Sequence, residues 1–146
     1  MQIIKNNKLT GSTLYYPVGR YVTEWIIITK EYAKIIKSLV AKNDDIGLVV
    51  QGSSGAIIAA LTVSHLKGYN VEIKHIKKEG ENSHSSKIPR ISSLEKLFIL
   101  DDFICTGETI ERIVEKVKDF EVEAIIVCDC DDSPTEYSNV KRFYCQ

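Results

Sequence analysis

The residues best suited to chemistry lie between positions 97 and 110. An apolar run at residues 97–100 has the pattern of a buried strand and leads directly into two adjacent carboxylates, Asp101 and Asp102. A short Thr/Gly loop and an amphipathic helix follow. Parallel strands end at the edge of an open α/β sheet where ligands bind, and the free N–H groups of the following helix attract anions. This order predicts a site for a phosphorylated sugar, with the two carboxylates, the acidic pair, facing sugar hydroxyls or a metal ion.

A second turn that could bind an anion comes earlier in the chain. The sequence QGSSG at residues 51–55 follows an apolar run at 46–50 and precedes a predicted helix. Backbone amides at such a helix start bind anions, although a Ser-Ser-Gly triplet is also an ordinary helix cap. The candidate anion-binding residues of this 51–55 turn are Gln51, Gly52, Ser53 and Ser54.

A long polar segment is the third candidate region. Residues 77–93 contain almost no apolar side chain except Ile88 and Ile91, and so long a stretch without predicted structure usually serves a function. The segment begins with Lys77 and Lys78 and also contains His84. A lysine pair is ordinarily a solvated charge pair. At this place in the chain, however, it could supply the positive charge that the two anion-binding turns lack.

The elements that must position these residues alternate in type. Apolar side chains at helical spacing predict a helix over 29–43, and residues 25–28 could form either its first turn or a short strand. Further helices are predicted at about 55–67 and 108–119, and strands at 46–50, 69–76, 97–100 and 122–127. This alternation favours an α/β fold with a mainly parallel sheet flanked by helices on both faces.

Composition sets limits on the kind of protein. The chain has 146 residues, 44% of them hydrophobic, and a formal net charge of −1, so we expect one globular domain with no overall attraction to nucleic acid or to an anionic membrane. No apolar run approaches the roughly 20 residues of a membrane span, and the first residues lack the apolar core of a signal peptide. We therefore expect a cytoplasmic protein that binds its ligand in a pocket.

The sequence LFILDDFICTGETI at residues 97–110 resembles the signature of the type I phosphoribosyltransferases. In that signature a hydrophobic strand, two acidic residues, two apolar residues and a Thr/Gly phosphate loop follow in the same order. The close match covers about a tenth of the chain, and the order of elements over 46–127 also agrees with the core of that family. Phe103 is bulkier than the usual aliphatic residue, and Cys105 stands where a small hydroxyl residue or alanine is commoner. Neither departure removes a charge or a loop amide.

The resemblance implies an activity. These enzymes join a nucleobase to C1 of phosphoribosyl pyrophosphate (PRPP) and release pyrophosphate through an oxocarbenium-like state, usually with magnesium. It further implies that Asp101 and Asp102 are catalytic, accepting hydrogen bonds from the ribose hydroxyls and compensating the positive charge that grows on the ring. Asp102 would also help to hold Mg2+ through water. The 5′-phosphate would be bound by the loop that consists of Cys105, Thr106, Gly107, Glu108 and Thr109.

The 51–55 turn resembles the pyrophosphate loop of that family. The resemblance implies that Gln51, Gly52, Ser53 and Ser54 bind pyrophosphate, and it places a non-proline cis peptide around Gln51–Gly52. Gln51 replaces the usual basic or acidic residue of that loop. This departure weakens the prediction of strong pyrophosphate binding.

The polar segment partly resembles the flexible catalytic loop of orotate phosphoribosyltransferases, although its spacing to the histidine differs. The resemblance implies that Lys77 or Lys78 neutralises the departing pyrophosphate and that His84 donates a hydrogen bond or a proton to it. Closure of such a loop would keep water away from the reactive sugar. On this basis the acceptor base is orotate or another pyrimidine.

Two other interpretations remain open. The chain could be a non-catalytic regulator of the same fold that senses PRPP or a nucleotide, or it could be a flavodoxin-like or response-regulator-like domain, which explains the Thr/Gly loop less well. We expect residues 1–146 to form a single domain with its core at about 24–128 and a possible base-binding hood from 1–23 and 129–146. The family resemblance also implies a possible homodimer.

Overall fold

The computed structural model describes residues 2–5, 22–78, 80, 89–103 and 108–128, although not the side chains of 2–5, 22–24, 103 and 128. Strands and helices alternate along these ranges. In chain order the elements are β1 (Gln2–Lys5), α1 (Val22–Leu39), β2 (Asp45–Gln51), α2 (Gly52–Ser64), β3 (Asn70–Ile76), β4 (Lys96–Phe103), α3 (Glu108–Lys116) and β5 (Val122–Cys128).

The five strands form one sheet in the order β1-β5-β4-β2-β3, and every pairing is parallel. Because parallel neighbours need a crossover connection, helices cover the sheet on its faces. The predicted fold class is therefore confirmed. β1, from the N-terminal part of the chain, forms one edge of the sheet by pairing with β5.

Alternate residues along the central strands point to opposite faces of the sheet. Leu48, Phe98 and Ile126 pack with α1 and α2 on one face, where Tyr32 and Ile36 of α1 are fully buried. On the other face, Val49, Ile99 and Ile125 pack against Ile110 and Ile113 of α3. This burial pattern is what near-continuous apolar strands are expected to give in a sheet covered on both faces.

The helices α1 and α2 begin earlier than the sequence predicts. α1 starts at Val22, because Trp25 and Ile28 continue its buried face toward the N-terminus. α2 starts at Gly52, whose positive φ of 75° turns the chain directly out of β2, and neither Ser53 nor Ser54 is its N-cap. None of the helices in the described ranges has the length and apolar character needed to cross a bilayer.

Candidate functional site

The two predicted ligand-binding segments meet where β2 and β4 lie side by side. α2 follows β2 and packs on one face of the sheet, whereas α3 follows β4 and packs on the other. In open α/β sheets a crevice forms outside the carboxyl ends of two such strands, because their connections diverge. Gln51 is the last residue of β2, and Asp101 and Asp102 lie near the end of β4. The fold therefore brings the 51–55 turn and the acidic pair to the same edge.

The main chain of the acidic pair lies where β4 leaves regular pairing. The register between β4 and β5 shifts between Leu100 and Phe103, and such irregularities are common beside active sites. Side chains supply hydrogen bonds here. The hydroxyl of Tyr32 donates a 2.7 Å hydrogen bond to the carbonyl of Asp101 and lies 3.4 Å from the carbonyl of Asp102. The amide of Asp102 donates to Asp101 Oδ1 over 3.0 Å.

The two carboxyl groups of the acidic pair have different environments. Asp101 is only 7% exposed, whereas Asp102 is half-buried. Burial, together with the neighbouring Asp102 carboxylate, raises the pKa of Asp101 to about 8, although the positive charge of Lys78 acts in the opposite direction. Burial thus favours the protonated form of the Asp101 carboxyl, and Asp102 is the more exposed residue of the two.

The 51–55 turn is tightly held by its neighbours. Gln51 is 6% exposed, and its Nε2 donates a 3.5 Å hydrogen bond to the carbonyl of Lys77. The carbonyl of Gly52 lies 3.1 Å from His75 Nε2 on β3. A Cβ atom placed on Gly52 would lie 3.3 Å from Lys78 Nζ. Lys78 therefore covers the start of α2, where free amides point outward.

The predicted cis peptide at Gln51–Gly52 is wrong, because the described residues contain no cis peptide bond. The sharp turn from β2 into α2 is instead made by the backbone angles of Gly52. Gly52 takes the left-handed conformation, with φ of 75°, which glycine adopts without steric cost. A trans peptide followed by a left-handed glycine thus makes the same sharp entry into α2.

An open cleft of about 590 Å3 lies beside the 51–55 turn, between the end of β3 and helix α3. Its lining includes four basic and three acidic side chains together with one amide. These residues are Gln51, Lys77, Lys78, Glu108, Glu111, Arg112, Glu115 and Lys116. The cleft is therefore lined by side chains of mixed charge, which can pair with an ionic ligand.

Most of the described candidate residues come together at this edge. Lys77 and Lys78 lie next to the 51–55 turn, and Glu108 is exposed at the cleft in the first turn of α3. Thr109 is half-buried beside it, and in the first turn of α2 Ser53 is exposed and Ser54 half-buried. Four candidates lie outside the described residues: His84, Cys105, Thr106 and Gly107.

Sequence reasoning missed two residues that hold this site. Tyr32 repeats at helical spacing with the apolar residues of α1 and so looks like an ordinary core aromatic. His75 lies in a predicted strand, where the alternation of apolar and polar residues already explains a histidine at this position. Only the fold reveals that both side chains reach main-chain carbonyls of the two ligand-binding segments, since Tyr32 and Asp101 are 69 positions apart.

A buried lysine ties the far end of the polar segment to the sheet. Lys74 of β3 is 2% exposed, and its ammonium group donates to the carbonyl of Arg90 over 2.7 Å. The same nitrogen forms ion pairs with Glu72 at 2.7 Å and with Glu95 at 2.9 Å. Residues 90–95 are thus fastened to the strand that ends just before Lys77 and Lys78.

Neither a protein-family model nor a curated protein matches the sequence of the chain. Its fold does match solved structures. A hypoxanthine-guanine phosphoribosyltransferase from Bacillus anthracis superposes on 76% of the chain with a TM-score of 0.52 and 19% identity, and the match covers 72% of that protein.

Two further solved structures show the same similarity. A hypoxanthine phosphoribosyltransferase from Staphylococcus aureus matches 77% of the chain and 66% of its own length, with a TM-score of 0.52 and 18% identity. The corresponding enzyme from Trypanosoma cruzi matches 83% of the chain and 74% of its own length, with a TM-score of 0.55 and 17% identity. At sequence identities this low, the structural similarity establishes the fold alone. The chain has the fold of the type I phosphoribosyltransferases.

Proposed function

We propose that the chain is a phosphoribosyltransferase that transfers the phosphoribosyl group of PRPP to a nucleobase and releases pyrophosphate. The observation that carries the proposal is the meeting of the 51–55 turn, Lys78 and the acidic pair at one edge of the sheet. An anion site and a carboxylate site side by side match a ligand that joins pyrophosphate to a sugar. The fold of the solved phosphoribosyltransferases supports the same activity.

The 51–55 turn would bind the pyrophosphate group. The first turn of α2 contains no acidic residue, so its amides and the positive end of the helix dipole are available to an anion. Lys78 Nζ already lies over Gly52, and Lys77 lines the adjacent cleft. These two lysines would neutralise the charge that collects on pyrophosphate as it leaves C1.

The acidic pair would act on the ribose. Asp102, the more accessible carboxylate, accepts hydrogen bonds from the ribose hydroxyls, and Asp101 orients it by accepting from its amide. The bond from C1 to pyrophosphate breaks as the bond from C1 to the base nitrogen forms, and the proton that the base nitrogen loses passes to water. A carboxylate beside the ring stabilises the positive charge that develops there.

The 5′-phosphate would be bound by the loop before α3. Glu108 and Thr109 open that helix, and we infer that Cys105, Thr106 and Gly107 complete the set of amides and hydroxyls. Negative charge from Glu108 and Glu111 in the first turn of α3 would oppose a nearby phosphate. The loop amides and the Thr106 and Thr109 hydroxyls therefore have to dominate. His84 would donate a hydrogen bond or a proton to pyrophosphate.

The described donor set fits a magnesium ion that arrives with the substrate. No group of three metal-binding side chains occurs within the described ranges, whereas Mg2+ is commonly held by one or two carboxylates, waters and substrate phosphates. Asp102 would hold the ion through water, and the ion would lower the charge of the pyrophosphate. Asp102 is half-buried and is the more exposed residue of the acidic pair.

Purines and pyrimidines are the two classes of acceptor base for the proposed reaction. The solved structures of similar fold carry hypoxanthine or guanine in their names, whereas the polar segment resembles the loop of orotate enzymes. Both classes of base therefore belong in the test. A base-binding hood from residues 1–23 and 129–146, a homodimer and a cytoplasmic location stay predictions; within the first of these ranges, Gln2–Lys5 joins the sheet as β1.

A second candidate function is a sensor that binds PRPP or a nucleotide without turnover. One observation favours it: the 51–55 turn has the neutral Gln51 where the resembled family has a charged residue, and the Gln51 Oε1 atom is buried without a hydrogen-bond partner in the described part of the chain. A turn built in this way would bind pyrophosphate less strongly. The sensor would bind PRPP and release no pyrophosphate with any base.

Pyrophosphate release separates the two functions. Purified protein is incubated with PRPP, Mg2+ and, in turn, hypoxanthine, guanine, adenine, orotate and uracil. We expect release with one class of base and its loss in Lys78→Met. Lys37→Met is the matched control, because Lys37 is an exposed lysine of α1 that does not line the cleft. Release with no base, despite measurable PRPP binding, would favour the sensor.

A further inference from the structure

We propose that Tyr32 is a positioning residue for the acidic pair, a role that rests on the proposed function. Its hydroxyl reaches both main-chain carbonyls of the pair, at 2.7 Å from Asp101 and 3.4 Å from Asp102. The residue touches no substrate in this role. It sets the orientation of the backbone from which the Asp102 carboxylate projects.

The acidic pair lies in an irregular part of the sheet. The pairing of β4 with β2 runs from Lys96 to Ile99, and its register with β5 shifts between Leu100 and Phe103. The carbonyls of the acidic pair therefore lie beyond the regular ladder on one side and within the irregularity on the other. A hydrogen bond from outside the sheet is made in this irregular stretch, because the Tyr32 hydroxyl donates to the buried carbonyl of Asp101 and lies close to that of Asp102.

The core fixes this donor in space. Tyr32 is fully buried, in the same apolar cluster as Phe98 and Leu100 of β4, so its ring cannot change rotamer without opening the core. The orientation of the acidic pair is thus tied to the packing of α1 on the sheet. Asp101 adds a second restraint, because its Oδ1 accepts from the Asp102 amide. The side chains of Tyr32 and Asp101 together restrain the two carbonyls of the acidic pair and the amide of Asp102.

The test compares Tyr32→Phe with Thr29→Val. Thr29 lies on the same helix, is fully buried, and donates a hydrogen bond of the same 2.7 Å length, but to the carbonyl of Trp25. Both variants lose one buried hydroxyl and keep the core nearly filled. Circular dichroism and urea unfolding establish that each is folded. Two readouts follow: the dissociation constant of PRPP with Mg2+, and hydrogen exchange at the Asp102 amide.

We expect Tyr32→Phe to weaken PRPP binding by about 5- to 10-fold, the effect of losing one hydrogen bond that orients the site, and to raise KM for PRPP while leaving KM for the base unchanged. We also expect exchange at the Asp102 amide to accelerate by about tenfold or more, beyond what the loss of global stability explains. Thr29→Val should change neither readout by more than its effect on stability.

Equal behaviour of the two variants would overturn the positioning role. The two readouts also separate this inference from the proposed function. If the wild-type protein binds no PRPP, the proposed function fails, and hydrogen exchange still decides whether Tyr32 orients the acidic pair. If wild type and Tyr32→Phe bind PRPP equally well, the inference fails and the function stands.

Discussion

The Lys78 side chain lies directly over Gly52, at the start of α2. A Cβ atom added to Gly52 would be 3.0 Å from Lys78 Cε and 3.3 Å from Lys78 Nζ. Lys78 and Gly52 therefore lie close together before any ligand binds. An incoming pyrophosphate would find the cation already near the start of α2, which lowers the entropy cost of assembling the site.

Replacing Gly52 with alanine tests this contact. Gly52→Ala forces a side chain into the left-handed region and displaces Lys78, so we expect a loss of about 1–2 kcal/mol in the free energy of unfolding. We also expect PRPP binding to weaken by about tenfold or more, because one lysine contact and the backbone approach are both lost. Urea unfolding and titration calorimetry provide the two measurements.

Gly68 offers a closely matched control. It has a φ of 82°, and its added Cβ would lie 3.2 Å from Lys42 Cε, away from the cleft. Gly68→Ala should cost similar stability and leave PRPP binding unchanged. If both variants bound PRPP like the wild type, Lys78 and Gly52 would have no part in the site.

The buried carboxyl of Asp101 predicts a pH dependence of stability. Burial and the neighbouring Asp102 carboxylate raise the pKa of Asp101 from 3.8 to about 8 in the folded protein. Because this pKa lies above that of the unfolded chain, folding favours the protonated form. The contribution of the group is thus fully present below pH 3.8 and is lost as the pH rises through about 8.

Asp101→Asn removes this titration, since asparagine resembles the protonated carboxyl. In metal-free buffer with a chelator, the variant should gain stability over wild type as the pH rises from about 5 to 8, by an amount on the order of 1–3 kcal/mol. Asp119→Asn, at an exposed position, serves as the control and should show no such trend. A stability difference that stays constant across this pH range would argue against a protonated Asp101.

The ion pairs of Lys74 predict a large stability loss on mutation. Lys74→Met leaves Glu95, whose side chain is 9% exposed, without its cation and also removes the bond to the Arg90 carbonyl. We expect a loss of about 2–4 kcal/mol in the free energy of unfolding. Lys118→Met breaks the exposed pair with Glu115 and should lower the free energy of unfolding far less than Lys74→Met does, because water screens an exposed pair. Urea unfolding compares them, and similar small losses in both variants would contradict the structural role of Lys74.

The sequence predicts much of this fold because its strongest signals are local. The apolar runs at 46–50, 97–100 and 122–127 occupy β2, β4 and β5, and the helical spacing after Glu108 gives α3. Helix starts were less well predicted. The left-handed angle of Gly52 begins α2 early, and nothing in the spacing of Ser53 and Ser54 distinguishes a first turn from a cap.

The candidate site was predictable only where its residues are adjacent in sequence. The acidic pair and the 51–55 turn each follow a strand, so their meeting at one edge follows from parallel topology. Tyr32 and His75 depend on contacts between distant elements, and their residue types fit ordinary core and strand positions. The raised pKa of Asp101 is likewise a product of burial, which a pair of aspartates in a sequence does not reveal.

Titration calorimetry in the presence of Mg2+ measures whether the chain binds PRPP and whether the acidic pair contributes to that binding. We expect the wild-type protein to bind PRPP with a micromolar dissociation constant and Asp102→Asn to bind at least about tenfold more weakly, because a carboxylate that accepts from the ribose hydroxyls is lost. Asp119→Asn, at its exposed position after α3, should bind like the wild type. Absence of binding by the wild-type protein at millimolar PRPP, or equal affinity in all three proteins, would rule out a PRPP site at the acidic pair.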